Sequence, residues 1–187
     1  MLASELNTFL TNLTKTAETE VDTPLEEVIA EGESGDLEFK SSFLWSYQGG
    51  CVDKRLEEVI LKSIAAFSNS DGGTLLVGVK DDGEILGLEQ DYNSLKGNKD
   101  EFELHLRNLV NKSFGVGFAA TGISVTFPAV AGKEICKIEI KRAITPQYLT
   151  ITDKNNSKVE KFFVRSGNSS VELALKEITP YVQARFN

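Results

Sequence analysis

Residues 56–88, LEEVILKSIAAFSNSDGGTLLVGVKDDGEILGL, decide the fold. Apolar residues recur at helical spacing in the first part of this stretch and predict an amphipathic helix, whose buried stripe is Leu56, Val59, Ile60, Ile64 and Phe67. Residues 70–73 end that helix, and the apolar residues 74–79 predict a central β-strand. Asp82-Gly83 then predicts a hairpin turn, after which residues 84–88 return. This order of elements indicates a fold that mixes helices and strands.

The flanking segments extend this pattern. Leu37-Glu38-Phe39-Lys40 alternates as a half-buried strand does, with Leu37 and Phe39 facing the core. Further predicted elements are a helix at about 100–112, strands at 123–127, 134–141 and 161–165, and a final helix that runs from the loop 166–170 through Tyr181. The prediction is one α/β (α+β) domain, a mixed β-sheet flanked by helices.

Residues 1–32 are predicted to form an N-terminal helical extension, and residues 33–187 the domain itself. Leu2, Leu6, Phe9, Leu10 and Leu13 recur at helical spacing, which predicts an amphipathic helix over residues 3–15. A second, short helix is predicted to have Thr23 as N-cap, Pro24 at its first position, Glu26 in a capping box and Gly32 at its end.

Composition and charge limit the classes of function that this chain can have. The 187 residues are 41% hydrophobic and 26% charged, which is typical of one globular core. No apolar run approaches the about 18 residues of a membrane helix. The first residues have no basic stretch that leads into an apolar block, so we expect no secretory signal. Cys51 and Cys136 are isolated, so we expect reduced thiols and a cytoplasmic protein without membrane contact. The net charge of −8 argues against a broadly basic surface, so nucleic-acid binding would need a local basic patch, a bridging metal ion or a partner protein.

Acidic residues at two places predict a metal site. Glu38 and Lys40 leave the same face of their strand, and a bend at Gly35 would bring Glu33 beside Glu38. Asp81 follows the central strand, which we expect to neighbour the first strand. Three carboxylates suit Mg²⁺ or Mn²⁺, which can polarise a phosphoryl oxygen and activate a water molecule. Lys40 would then stabilise the negative charge that develops during catalysis.

The same residues also have a purely structural interpretation. Glu33 and Asp36 would cap turns, Glu38 would pair with Lys40 on a solvated face, and the two aspartates after the central strand would begin a hairpin. Spacing alone leaves both interpretations open.

Basic and polar residues in the last third are candidate contacts to nucleic acid. Arg165 and the loop that contains Asn168 would bind an anion through loop amides, or Ser169 or Ser170 would cap the last helix instead. A predicted strand and its end carry three cations, which form either a basic stripe for backbone phosphates or a solvated sheet face: Lys137, Lys141 and Arg142.

Three segments of the sequence resemble the signature of one family. They are Glu33-Ser34-x-x-Leu37-Glu38-Phe39-Lys40, residues 66–87 (AFSNSDGGTLLVGVKDDGEILG) and residues 162–170 (FFVRSGNSS). In this order they are similar to the Schlafen-type, AlbA-like domain. The resemblance implies a mixed α/β lobe that binds DNA or RNA and is often fused to regulators or helicase-like parts.

The resemblance also implies a specific activity. In nuclease-active Schlafen proteins three acidic residues bind a divalent metal ion and cleave tRNA or rRNA, and the matching positions here are Glu33, Glu38 and Asp81. We therefore predict a candidate metal-dependent endoribonuclease that acts on tRNA or other structured RNA. Two alternatives remain open: a non-catalytic DNA- or RNA-binding regulatory module, and a nucleotide (ATP)-binding module, against which the missing G-x-x-x-x-G-K-[ST] motif argues.

The sequence departs from the family pattern in one segment, because a longer stretch with Trp45 and Tyr47 separates the first strand from its helix. Schlafen nuclease cores resemble two related lobes, whereas this chain has the length of one. We therefore hypothesise a homodimer, with the N-terminal amphipathic helix or Trp45 and Tyr47 at the contact.

Overall fold

The computed structural model describes residues 23–186, and the amphipathic helix predicted over residues 3–15 lies outside them. The described residues form six helices: α1 (Leu25–Glu31), α2 (Arg55–Asn69), α3 (Glu89–Ser94), α4 (Lys99–Phe114), α5 (Val116–Thr121) and α6 (Leu175–Phe186). Their strands are β1 (Leu37–Lys40), β2 (Trp45–Ser46), β3 (Cys51–Val52), β4 (Gly73–Val77), β5 (Ile123–Thr126), β6 (Ala129–Val130), β7 (Lys133–Glu134), β8 (Cys136–Ile140), β9 (Tyr148–Thr152), β10 (Lys158–Ser166) and β11 (Ser169–Glu172). Among these residues, no helix has both the length and the apolar character needed to cross a bilayer.

The larger sheet has four strands in the order β1-β4-β8-β5. Strand β1 runs parallel to β4, with Leu37 opposite Thr74 and Lys40 opposite Val77, whereas β8 runs antiparallel to both of its neighbours. The last three residues of β4 are fully buried, because the strand is covered on both faces. The predicted mixed sheet and its central strand are therefore confirmed.

Helix α2 packs between this sheet and a second sheet, of order β11-β10-β9. Ile60, Ile64 and Phe67 are fully buried in the main core, which also contains Leu75 of β4 and Phe163 of β10. The predicted apolar stripe of α2 is thus confirmed at these positions. Val59, predicted in the same stripe, is 38% exposed, so the stripe is narrower at the start of the helix than its sequence suggests.

A smaller core covers the other face of the four-stranded sheet. Leu37 and Phe39 point into it, together with Leu76 of β4, Ile29 of α1 and Ile135. Because side chains alternate along a strand, the residues between them point toward α2 instead. The predicted inward orientation of Leu37 and Phe39 is confirmed.

The start of α1 differs from the prediction. Pro24 occupies the N-cap position with ψ of 136°, and no side chain caps the helix, so the capping box predicted for Thr23 and Glu26 is wrong. The extended backbone at Pro24 moves the start one residue along the chain. The predicted end is confirmed, because Gly32 terminates the helix with φ of 86°.

The segment 166–172 also differs from the prediction. Ser166 pairs with Ser169 across a tight turn, and Ser170 pairs with Arg165, so these residues form the β10–β11 hairpin. The final helix begins only at Leu175. Ser169 and Ser170 therefore do not cap it, because they belong to a strand that the polar sequence does not predict.

Candidate functional site

The three signature segments meet around the side chain of Arg165, which is only 5% exposed. Its Nη1 donates a hydrogen bond to Glu38 Oε2, and its Nη2 and Nε donate to the carbonyl groups of Ser34 and Gly35, at 2.9 and 3.2 Å. The ring of Phe67 lies against the guanidinium, 4.4 Å from Cζ to the ring centroid. Arg165 thereby joins the first, middle and last segments of the signature.

Glu38 is the buried partner of this arginine. Its Oε1 accepts hydrogen bonds from Lys40 Nζ at 2.8 Å and Ser63 Oγ at 2.9 Å, and its Oε2 accepts from Arg165 and from Ser170 Oγ. Burial by itself raises the pKa of Glu38, but the Lys40 ammonium, the Ser63 hydroxyl and the Arg165 guanidinium outweigh that effect, and the pKa lies below its ordinary value. Glu38 is therefore an ionised carboxylate whose two oxygens are both occupied.

The side chains of Glu33 and Lys40 provide hydrogen-bond partners for backbone groups at the free edge of β1. The backbone groups of Leu37 and Phe39 point away from β4, because those of the alternate residues bond to it. The N–H of Phe39 donates to Glu33 Oε1 at 2.7 Å, Lys40 Nζ donates to the carbonyl of Phe39 at 2.6 Å, and the N–H of Ser34 donates to the carbonyl of Leu37 at 2.9 Å. Local groups thus replace the strand that an unprotected sheet edge would attract.

The structure brings together two of the three predicted metal ligands. Glu33 and Glu38 converge on Lys40, at 4.0 and 2.8 Å from its Nζ. Asp81 instead lines a separate groove of about 280 Å³ beside α1. Within residues 23–186 no three Asp, Glu, His or Cys side chains are grouped to hold a metal ion.

The arrangement therefore does not fit Mg²⁺ or Mn²⁺, because Lys40 and Arg165 already neutralise Glu38 and the third acid lies elsewhere. The contacts match the structural interpretation of these residues, except that Glu38 is buried and does not lie on a solvated face. Glu38 pairs with Lys40, and Asp82 Oδ1 accepts a hydrogen bond from the N–H of Glu84 at 3.1 Å in the hairpin turn.

Two glycines allow two strands to approach the C-terminal end of α2. A Cβ atom on Gly72 would lie 2.6 Å from the carbonyl oxygen of Ile140, and one on Gly73 would lie 2.5 Å from the ring of Phe67 and 2.6 Å from the carbonyl oxygen of Asp36. Both residues also have positive φ, 85° and 156°. The glycine pair after α2 therefore lets β8 and the start of β1 pack directly against the helix end.

The four residues predicted to contact nucleic acid lie around this helix end. The N–H of Arg165 donates to Ser70 Oγ at 2.8 Å, and Asn168 occupies the turn that follows. Lys141 and Arg142 leave β8 beside the glycine pair. Lys141, Arg142 and Asn168 are exposed, whereas Arg165 is held inside by its contacts with Glu38.

Arg185 of α6 joins this group, although the sequence did not predict it. Its Nη2 donates to the carbonyl of Ser70 and lies 3.5 Å from Asp71 Oδ1, and its own carbonyl accepts a hydrogen bond from Arg142 Nη2 at 2.9 Å. Only 12% of its side chain is exposed. No local pattern relates the last turn of α6 to a loop more than a hundred residues earlier in the chain.

Lys137, the third cation of the predicted basic stripe, lies apart from this group. It pairs with Glu139 at 3.0 Å and lines a groove of about 690 Å³ between α1 and the outer face of the four-stranded sheet. Glu33 and Asp36 line the same groove. Of the predicted basic stripe, only Lys141 and Arg142 therefore lie at the end of α2.

The segment that departs from the family pattern is fixed by one buried carboxylate. Asp91, at the start of α3, is 2% exposed and accepts hydrogen bonds from Ser42 Oγ and from the N–H groups of residues 43–45, all at 2.8–2.9 Å. The short β2–β3 hairpin follows directly and packs against α3. Trp45 and Tyr47 are thus presented by an ordered segment.

Comparison with known proteins agrees with the resemblance seen in the sequence. The family described as Schlafen, AlbA_2 matches residues 33–174, which include all three signature segments. Among solved structures, the DIP2311 protein from Corynebacterium diphtheriae is 19% identical with a TM-score of 0.53, over 87% of this chain and 32% of that one. This chain therefore spans about a third of that protein, and the likeness shows the fold.

A second solved structure is the N-terminal domain of a protein from Nitrosomonas europaea that is described as related to the ATP-dependent DNA helicase RecG. It is 18% identical with a TM-score of 0.38, over 75% of this chain and 82% of that domain.

Proposed function

We propose that this chain, which belongs to the Schlafen AlbA_2 family, is a nucleic-acid-binding domain. One observation carries the proposal: Lys141, Arg142 and Asn168 are exposed around the end of α2, beside Arg185. A chain with a net charge of −8 needs such a local patch to attract phosphates. DNA and RNA are both candidate ligands.

Arg165 supports this surface from inside the molecule. Its guanidinium is occupied by Glu38 and by the carbonyl groups of Ser34 and Gly35. It therefore positions the β10–β11 turn, which presents Asn168, and does not itself reach a phosphate. This role differs from the direct contact that the sequence suggested.

Cleavage of tRNA or other structured RNA is the finer function that the family implies, with Mg²⁺ or Mn²⁺ held by Glu33, Glu38 and Asp81. It would require Asp81 to approach the two glutamates and Glu38 to release at least one of its two cations. The bonded state of Glu38 favours binding without cleavage. Metal-dependent cleavage remains a second candidate, because Glu33 and Glu38 do converge.

The binding proposal is tested with fluorescently labelled single-stranded RNA, structured RNA and duplex DNA, titrated at several salt concentrations. We expect binding that weakens as salt increases, because phosphate contacts release counterions. Failure to bind any of these probes at low salt would overturn the proposal. Binding of ATP together with such a failure would favour the nucleotide-binding alternative.

Cleavage is tested separately by incubating tRNA with the protein and Mn²⁺. Asp81→Asn is the informative variant, because Asp81 is exposed and the substitution leaves the buried contacts of Glu38 intact. Cleavage by the wild type that Asp81→Asn abolishes would establish the nuclease.

We also propose that the chain forms a homodimer, and sedimentation of the same protein tests this proposal.

A further inference from the structure

We infer that Arg142 and Arg185 form a phosphate clamp, in which the carboxylate of Asp71 holds the place of a nucleic-acid phosphate until one displaces it. The inference rests on the proposed function and deepens it, because it names the contact residues and an internal competitor. The ligand group is a phosphodiester oxygen of the nucleic-acid backbone.

Both guanidinium groups point toward the same carboxylate oxygen. Asp71 Oδ1 lies 3.5 Å from Arg185 Nη2 and 3.9 Å from Arg142 Nη1. Guanidinium groups bind phosphate and carboxylate oxygens by the same charge-assisted hydrogen bonds, so a site that attracts one anion also suits the other. The position of the carboxylate therefore marks where a phosphate oxygen would lie.

Asp71 is a weakly held occupant. Its side chain is 93% exposed, and both distances exceed the roughly 2.7–3.2 Å of a good hydrogen bond. Exposed ion pairs of this kind contribute little to stability. A phosphodiester group, which carries a full charge on two unesterified oxygens, can therefore displace the carboxylate at small cost.

The two arginines are anchored without help from Asp71. Arg185 Nη2 donates to the carbonyl of Ser70, and Arg142 Nη2 donates to the carbonyl of Arg185. Cations are favoured at the C-terminal end of a helix, where the carbonyl groups of α2 lack helical partners. The basic group therefore keeps its place when the carboxylate leaves.

Arg185 also has an unused donor. Its Nη1 is buried and has no hydrogen-bond partner in the described part of the chain. A buried donor without an acceptor is unfavourable, so a phosphate oxygen that reached this nitrogen would gain a hydrogen bond that the free protein lacks. Lys141, exposed beside Arg142, adds a third cation to the same surface.

The clamp predicts opposite effects for neighbouring substitutions. Asp71→Asn removes the competitor and is expected to tighten binding of labelled single-stranded RNA about threefold, the scale of one exposed charge contact. Glu58→Gln is the matched control, because Glu58 is an exposed acid of α2 and loses the same charge. Its effect measures the change in overall charge alone.

Arg142→Gln is expected to weaken binding and to lower the salt dependence by about one phosphate contact. Lys112→Gln, at the exposed end of α4, removes an equal charge and is expected to leave the salt dependence unchanged. Circular dichroism and thermal unfolding of all four variants establish that each is folded.

A titration with inorganic phosphate, followed by amide NMR shifts, tests the clamp independently of nucleic acid. We expect shifts confined to residues 70–73, 141–142 and 185. Equal RNA affinities of Asp71→Asn and Glu58→Gln, or equal salt dependence of Arg142→Gln and Lys112→Gln, would overturn the clamp while leaving nucleic-acid binding intact. If the wild type binds no nucleic acid, the proposed function fails, and the presence or absence of phosphate shifts still decides whether the clamp exists.

Discussion

Glu38 and Arg165 form an ion pair between two residues that are 127 positions apart in the chain. The pair joins an edge strand of one sheet to the middle strand of the other, beside the helix that lies between them. Both side chains are less than a tenth exposed. Because an unpaired buried charge is strongly unfavourable, each residue needs the other as its counter-ion.

Removal of the charge on Glu38 should destabilise the domain strongly. Glu38→Gln keeps the shape of the side chain but leaves Arg165 buried without its counter-ion, and we expect a loss of about 3 kcal/mol in the free energy of unfolding. Urea denaturation measures this loss. The double variant Glu38→Gln with Arg165→Met should lose less than the sum of the two single variants, and strict additivity would show that the pair is not coupled.

The pH dependence of the free energy of unfolding should reveal the ionisation of Glu38. Because the pKa of Glu38 is lowered on folding, the unfolded chain binds its proton first as pH falls. The stabilisation is therefore fully present above the ordinary value of 4.5 and is lost as pH falls through the lower pKa of the folded state. Unfolding free energies measured across this range should fall more steeply for the wild type than for Glu38→Gln, and parallel curves would contradict the assignment.

The edge of β1 should become available for pairing when Glu33 is removed. Glu33→Ala leaves the N–H of Phe39 without its acceptor, which should cost about 1 kcal/mol and favour association of chains through the exposed edge. Light scattering at increasing protein concentration measures the association. Glu33→Gln retains an acceptor oxygen and should stay closer to the wild type, so equal behaviour of the two variants would exclude the edge-protecting role.

Asp91 should be essential for the order of the segment that follows β1. Asp91→Ala removes four hydrogen bonds from a buried site and leaves the N–H groups of Phe43 and Leu44 without an acceptor, whereas the N–H of Trp45 still donates to Ser42 Oγ. We expect a loss of about 3 kcal/mol. Trp45, the single tryptophan of the sequence, donates one of these bonds, and its fluorescence reports directly on the change. Ser42→Ala removes the one side-chain donor and should have a smaller effect on both measurements.

The elements that the sequence predicts correctly are those with a strong local pattern. Helix α2 and strand β4 have long apolar runs, and the alternation of β1 correctly assigns Leu37 and Phe39 to one face and Glu38 to the other. The sequence does not predict strand β9, although its Leu149 is buried. Strand β11 has no apolar pattern in its sequence. Its position is set only by its pairing with β10, which the sequence does not reveal.

The site was predictable only in part, for the same reason. Two-residue spacing places Glu38 and Lys40 on one face, and their salt bridge follows from that spacing. Nothing local indicates that Arg165 reaches Glu38, that Arg185 reaches Asp71, or that Asp81 turns toward α1. These contacts depend on how distant segments pack, which periodicity does not encode.

The position of α2 between two sheets limits how the domain can be dissected. A fragment that ended after β8 would retain the four-stranded sheet but would leave one whole side of α2, including the surface that Phe163 covers, open to water. A fragment that began after α2 would lose the wall against which β9–β11 pack. The Asp71 loop and the turn with Asn168 therefore cannot be studied as separate peptides, and any map of ligand contacts needs both halves of the chain together.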